Sequence, residues 1–126
     1  MLQGLRALDL TDRTGAVCGK ILAAMGVDTI KIEPPGGEAS RMTPPYAGGR
    51  PDPERSLHWL HHNAGKRGVT LDLAAPQGRA LFFHLVEKAD FVIESFRPGH
   101  LSRLGIGYDE LARANPRIVL TSITPF

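Results

Sequence analysis

The hydrophobic period of this chain changes repeatedly between that of a strand and that of a helix. Leu5 to Leu10 is a short apolar run, and Gly15 to Gly26 (GAVCGKILAAMG) then has helical composition and ends on a glycine placed as a C-cap. Thr29 to Ile32 (TIKI) reads as a second strand, Val69 to Leu73 (VTLDL) as a third, Asp90 to Glu94 as a fourth and Ile118 to Ile123 (IVLTSI) as a fifth. Between them, Ser56 to His62 opens a short helix around Leu57, Trp59 and Leu60. Ala75 to Lys88 carries Leu81, Phe82, Leu85 and Val86 at helical spacing behind Pro76, and Tyr108 to Asn115 forms another helix stopped by Pro116. Strands separated by helices predict an α/β chain with a mostly parallel sheet of about five strands and helices on both faces.

In such a sheet ligands gather at the carboxyl ends of the strands, so the loops there carry the functional expectation. These are 11–15, 33–55, 73–76 and 95–107. The second holds six of the ten prolines, and no regular element is expected between 33 and 56. The first lacks the G-x-G-x-x-G fingerprint, which weighs against a dinucleotide such as NAD or FAD, although the amides of residues 14–16 could receive a phosphate at a helix start. In the last, FRPGHLSR places an aromatic ring and two arginines around a Pro-Gly turn. Arg97 and Arg103 could then face one anion, with Phe96 offering a ring to a base.

Fifteen basic against thirteen acidic residues leave a formal charge of +2, too small an excess to imply nucleic acid or a membrane surface. Neither a transmembrane run nor a signal pattern is visible, and the single cysteine, Cys18, suits a reducing compartment, so a soluble cytoplasmic protein is expected. Cys18 lies among Ala16, Val17 and Ile21 and reads as a structural thiol rather than a nucleophile. His58, His61 and His62 form an H-x-x-H-H cluster in which His58 and His61 could share a face, but without a carboxylate or cysteine at ligand spacing no metal is expected. Lys66 and Arg67 read as charges capping a turn before the third strand.

Five segments occur in one order at close spacing: LQGLRALDLT, GVDTIKIEPPGGEASR, NAGKRGVTLDL, ADFVIESFRPGHLSRLGIGYDEL and NPRIVLTSITPF. Together they resemble the N-terminal region of the family III CoA-transferases, the group that includes formyl-CoA transferase, carnitine CoA-transferase and α-methylacyl-CoA racemase. The resemblance spans nearly the whole chain and is weakest from 42 to 60. It implies a Rossmann-like α/β domain that binds coenzyme A, substrates that are an acyl-CoA and a carboxylic acid, and an interlocked homodimer. Transfer in that family runs through an aspartyl-CoA thioester on a nucleophilic aspartate. The family places that aspartate some tens of residues after the motif at the end of this sequence. Residues 1–126 therefore correspond to the CoA-binding part ahead of it, and Asp9, Asp72 and Asp90 do not occupy the nucleophile position, so no catalytic residue is assigned.

Matching motifs carry the family's CoA contacts to Arg13 and Thr14 after the first strand, to Leu71, Asp72, Leu73 and Ala74 lining the adenosine, to Ser95, Phe96 and Arg97 after the fourth strand, and to Arg103. By the same analogy Lys66 and Arg67 lie close to the CoA cleft. Relatives often place an arginine directly after the Lys-x-Glu of the second strand. Here Pro34 follows Glu33, so that phosphate contact is either lost or supplied by Arg41. Two other readings stay open: an acyl-CoA racemase or dehydratase-like relative on the same fold, and a non-catalytic remnant or interaction module.

Overall fold

A computed structural model describes residues 1–125. Five strands, β1 (Arg6–Leu10), β2 (Asp28–Glu33), β3 (Arg67–Thr70), β4 (Phe91–Glu94) and β5 (Val119–Ser122), form one parallel sheet in the order β3-β2-β1-β4-β5. The helices are α1 (Ala16–Ala24), α2 (Leu57–Asn63), α3 (Pro76–Val86), α4 (His100–Arg103) and α5 (Tyr108–Ala114). The expected α/β class and parallel sheet are thus observed.

The two faces of the sheet differ in chemistry. Leu8 of β1 pairs with Ile30 and Val92, and the period of two puts Leu10 and Ile32 on the same side, where Phe82 and Val86 of α3 and Leu111 of α5 complete the core. Burying those side chains at about 25 cal/mol per Å² of apolar surface is the main force holding α3 and α5 on this face. The alternate positions Ala7 and Asp9 pair with Thr29 and Lys31, so the opposite face carries buried polar groups. α1 covers them, and Gly19 is why it can: a Cβ there would stand 2.1 Å from Asp9 Oδ2. Asn115, at the end of α5, donates to the carbonyls of Val86 (3.0 Å) and Ala89 (2.7 Å), fastening α5 to the end of α3.

Three departures from the sequence reading have local causes. β3 begins at Arg67 and ends at Thr70, because its register against β2 runs from Ile30–Arg67 to Glu33–Thr70, and Asp72 then turns the chain by accepting the Ala74 N–H at 3.0 Å. Between 33 and 56 a 3-10 turn forms at Ala39–Met42, its N-terminus capped by Glu38, whose Oε1 accepts the Ser40 N–H at 2.8 Å. The loop after β4 contains α4, which starts at Gly99 with φ +79°. The remaining helices lie where hydrophobic period and caps place them. Ser56 Oγ accepts the Trp59 N–H at 3.1 Å to start α2, and Pro76 opens α3.

Candidate functional site

The chain winds β1, β2, β3 outward in one direction and β4, β5 in the other. A topological switch point therefore lies between β1 and β4, and a crevice opens beyond their carboxyl ends. A cleft of about 340 Å³ occupies it. Leu10, Ile32, Leu71 and Leu73 make its apolar floor, Phe96 and Leu104 one wall, and Pro34 and Ala39 another. Four carboxylates, Asp12, Glu33, Glu38 and Asp72, reach the rim, and none of the described lining residues is lysine or arginine. Such a cleft suits an uncharged aromatic group with hydroxyl donors and resists a phosphate.

Hydrogen bonds fasten the walls to each other. Asp12 N–H donates to Ser95 Oγ (2.8 Å), whose hydroxyl donates back to Asp12 Oδ1 (2.8 Å), and Thr14 N–H donates to the same oxygen at 2.8 Å. This bridge joins the loops after β1 and β4 across the switch point. Burial pushes the Asp12 carboxyl up, and the hydrogen bonds from Ser95 and Thr14 outweigh it, leaving the group below its usual range. On the other side Arg41 grips Glu33 in bidentate fashion, Nε to Oε2 at 2.6 Å and Nη2 to Oε1 at 2.8 Å, and lies 3.6 Å above the Trp59 ring. Its Nη1 donates to Pro53 O and Glu54 Oε1. Arg41 is thereby committed within the fold and is not offered as the phosphate contact that the Pro34 departure left open.

Glu33 also accepts the Glu38 N–H at 2.9 Å. Burial raises its pKa, but the Arg41 hydrogen bonds, the Glu38 amide and the charges of Arg41 and Lys31 prevail and hold it below the ordinary glutamate value. A carboxylate depressed on folding stabilises above its unfolded pKa, about 4.3, and that contribution disappears as pH falls through the folded value. Stability measured by urea unfolding from pH 6 down to about 3 is therefore expected to fall more steeply for the unsubstituted chain than for Glu33→Gln; parallel curves would refute the coupling.

Beneath the cleft lies a buried charge cluster that the sequence reading missed. Lys66, expected to cap a turn, sends its Nζ inward to Asp9 Oδ2 (2.6 Å), Ala16 O (2.9 Å) and Asn63 Oδ1 (2.8 Å). Asp9 Oδ1 accepts from Thr11 N–H (2.9 Å) and the Thr11 hydroxyl (2.6 Å), and Lys31 Nζ stands 3.7 Å away, donating to the Thr11 carbonyl. Burial lowers the Lys66 pKa, partly opposed by Asp9. The β1 loop that borders the cleft is thus anchored from below by three charges. Arg67 does remain at the surface, paired with Asp28 at 2.7 Å.

The expected contacts fall into two groups. Leu71, Asp72, Leu73, Ala74 and Phe96 come together in the cleft. Arg13 and Thr14 are exposed at the start of α1, and Ser95 is tied to Asp12. Arg97 lines an adjoining cleft of about 350 Å³ with Glu94, Ser122 and Thr124, while Arg103 is exposed at the end of α4. Phe96 and Arg97 thus face neighbouring spaces rather than one. His100, which sequence reasoning passed over, borders both and packs on Phe96 at 4.6 Å between ring centroids, as its i+4 spacing in FRPGH could have suggested. In α2 the rings of His58 and His62 meet at 4.2 Å and those of His61 and His62 at 5.1 Å, and His61 also contacts Lys20 Nζ at 3.1 Å, so the closest pairing of His58 is with His62 rather than with His61. Cys18 is half-buried, and burial together with Asp9 raises its pKa, which keeps the thiol protonated.

A doubly wound parallel sheet with an apolar, acid-rimmed cleft at its switch point places the chain among Rossmann-like α/β proteins. Residues 2–126 match the model of CoA-transferase family III, and the chain belongs to that family. It is 43% identical over 121 residues to the succinyl-CoA:(R)-benzylsuccinate CoA-transferase subunit BbsE of Thauera aromatica, covering 96% of this chain and 30% of that protein. It is 42% identical over 125 residues to the acetyl-CoA:oxalate CoA-transferase of Acetobacter aceti, covering 98% of this chain and 31% of that protein. The orthorhombic crystal structure of Rv3272 from Mycobacterium tuberculosis superposes with a TM-score of 0.88 at 38% identity, covering 99% of this chain and 34% of that one. The chain spans about a third of the length of the relatives it matches.

Proposed function

We propose that the chain is the CoA-binding part of a CoA-transferase that moves CoA between an acyl-CoA and a free carboxylic acid. The observation that carries this reading is the cleft, where Leu71, Asp72, Leu73, Ala74 and Phe96 converge from two loops on one apolar space at the switch point. In this reading adenosine enters the cleft, and the pyrophosphate, resisted by its acidic rim, stays outside where Arg13, Thr14, Arg97 and Arg103 are exposed.

Asp9, Asp72 and Asp90 are each engaged within the fold, which supports leaving the nucleophile unassigned among them. Asp9 is buried in its ion pairs, Asp72 holds a turn, and Asp90 accepts the Arg6 N–H at 2.8 Å. The covalent step belongs in this reading to a carboxylate outside these 126 residues, supplied by a longer chain of the kind its relatives have, acting as a homodimer in the cytoplasm. No helix among the described residues is long and apolar enough to cross a membrane.

Replacing Arg97 or Arg103 with alanine is expected to weaken CoA binding by about 1 to 3 kcal/mol through lost charged hydrogen bonds, measured by calorimetric titration. Affinity unchanged within about threefold in the double variant would overturn their assignment. Assembly has a separate test. Val17 and Ile21 of α1 and Leu57 and Leu60 of α2 are 43–53% exposed, so self-association is expected in sedimentation at tens of micromolar, and a clean monomer would count against it.

A further inference from the structure

The acidic residue at the end of β2 has a role that its family motif does not state. In doubly wound sheets a carboxylate at this position takes a ribose hydroxyl, because the second strand ends beside the sugar of a nucleotide lying across the switch point. Glu33 is the last residue of β2, it borders the cleft, and its side chain is 8% exposed. Its hydrogen bonds are unevenly shared. Oε2 accepts both Arg41 Nε and the Glu38 amide, whereas Oε1 accepts only Arg41 Nη2. A carboxylate oxygen has two lone-pair sites, so Oε1 keeps one for a donor in the cleft.

The arginine changes what that carboxylate can sit beside. Among the four carboxylates at the rim, Asp12, Glu38 and Asp72 are held by hydrogen-bond donors without an ion pair among the described residues, and Glu33 alone carries a guanidinium. A phosphate on the neighbouring ribose carbon would be repelled by a bare carboxylate at a few ångströms, and the paired arginine cancels most of that field. The apolar stack of Arg41 on Trp59, with Nη1 held by Pro53 O and Glu54, keeps the guanidinium from leaving Glu33 for the ligand.

Building on the CoA reading above, the geometry points to Glu33 Oε1 as the acceptor of the ribose 2′-hydroxyl, and to the Glu33–Arg41 pair as the device that lets a 3′-phosphorylated ribose occupy the end of β2. Glu33 and Arg41 are then specificity residues for the nucleotide end of CoA, distinct from the exposed arginines that meet its pyrophosphate.

The test compares CoA, adenosine 3′,5′-bisphosphate, its 2′-deoxy counterpart and adenosine 5′-monophosphate by calorimetric titration of the full chain. The unsubstituted chain is expected to bind the 2′-deoxy bisphosphate about ten- to a hundredfold more weakly than the ribonucleotide, the value of one hydrogen bond to a charged acceptor. In Glu33→Gln, whose amide oxygen still accepts but carries no charge, that ratio should fall by about tenfold. In Arg41→Met the 2′-hydroxyl preference should persist, while the bisphosphate loses at least about tenfold relative to the monophosphate. Equal affinity for ribo and deoxy ligands in the unsubstituted chain overturns the proposal without recourse to any variant, and CoA binding in that same experiment leaves the CoA reading standing. An undiminished deoxy penalty in a folded Glu33→Gln overturns the assignment to Glu33. Failure of the unsubstituted chain to bind any of the four overturns the CoA reading and this proposal together.

Discussion

Replacing Asp9 with asparagine is expected to destabilise the fold by about 3 to 5 kcal/mol, the range for removing one partner of a buried ion pair. Lys31 and Lys66 side chains are 2% and 1% exposed, and Asp9 is fully buried between them. Asparagine keeps the size of the side chain and removes the charge, leaving two ammonium groups to the carbonyls of Thr11 and Ala16 and the Asn63 amide oxygen. Burial already lowers the Lys66 pKa while Asp9 raises it, so losing Asp9 lowers it further. The sign of the pH dependence follows. When the folded protein binds fewer protons than the unfolded chain, stability rises with pH, and the deficit of Asp9→Asn should therefore shrink between pH 6 and pH 9. Urea unfolding at both values checks it; a deficit under about 1 kcal/mol at pH 6 would mean that the three charges are not the closed cluster their distances describe. Replacing all three with apolar residues of similar volume should come much nearer to neutral, because no buried charge is left unpaired.

That cluster also marks where sequence reasoning stops. The element order was legible because parallel strands covered on both faces are continuous apolar runs, and helices between them change the period. Asp9 and Lys31 look in sequence like the polar half of an alternation facing water. Only the register Asp9–Lys31 between β1 and β2, with Lys66 arriving 57 positions after Asp9, shows that they neutralise each other indoors. Glu33 and Arg41 are separated by a Pro-Pro-Gly-Gly stretch, and the turn that closes with Gly37 N–H on Pro34 O at 2.9 Å brings them together; period and propensity say nothing of a pairing made by a turn. Within the site, Leu71 to Ala74 and Phe96 were legible because they follow strands at their carboxyl ends and match family motifs. The separation of Phe96 from Arg97 was not, since adjacent residues diverge according to a backbone direction that composition does not encode.

Gly78→Ala should reverse the usual sign of a helical glycine substitution. In an exposed helix interior alanine gains about 1 kcal/mol over glycine by restricting the unfolded chain. Gly78 lies in α3, where a Cβ would stand 1.8 Å from the Asp72 carbonyl oxygen and 2.6 Å from its carbonyl carbon. Both are backbone atoms, so no rotamer change relieves the contact; either α3 slides outward or the Leu71–Ala74 turn moves. Sliding α3 would strip packing from Phe82 and Val86, both fully buried, and moving the turn would deform the floor and wall of the cleft. Overpacking of this kind costs about 1 to 3 kcal/mol. The expected result is a loss of that size in urea unfolding together with at least about tenfold weaker CoA binding at a temperature where the variant remains folded, since both consequences arise from one displacement. Gly68→Ala is the control: apart from its own chain neighbours nothing lies within 4 Å of its Cβ position, and it should stay within about 0.5 kcal/mol of the unsubstituted chain. A stabilised Gly78→Ala with unchanged CoA affinity would show that α3 does not rest against the Asp72 backbone and that the 71–74 segment does not form part of the site.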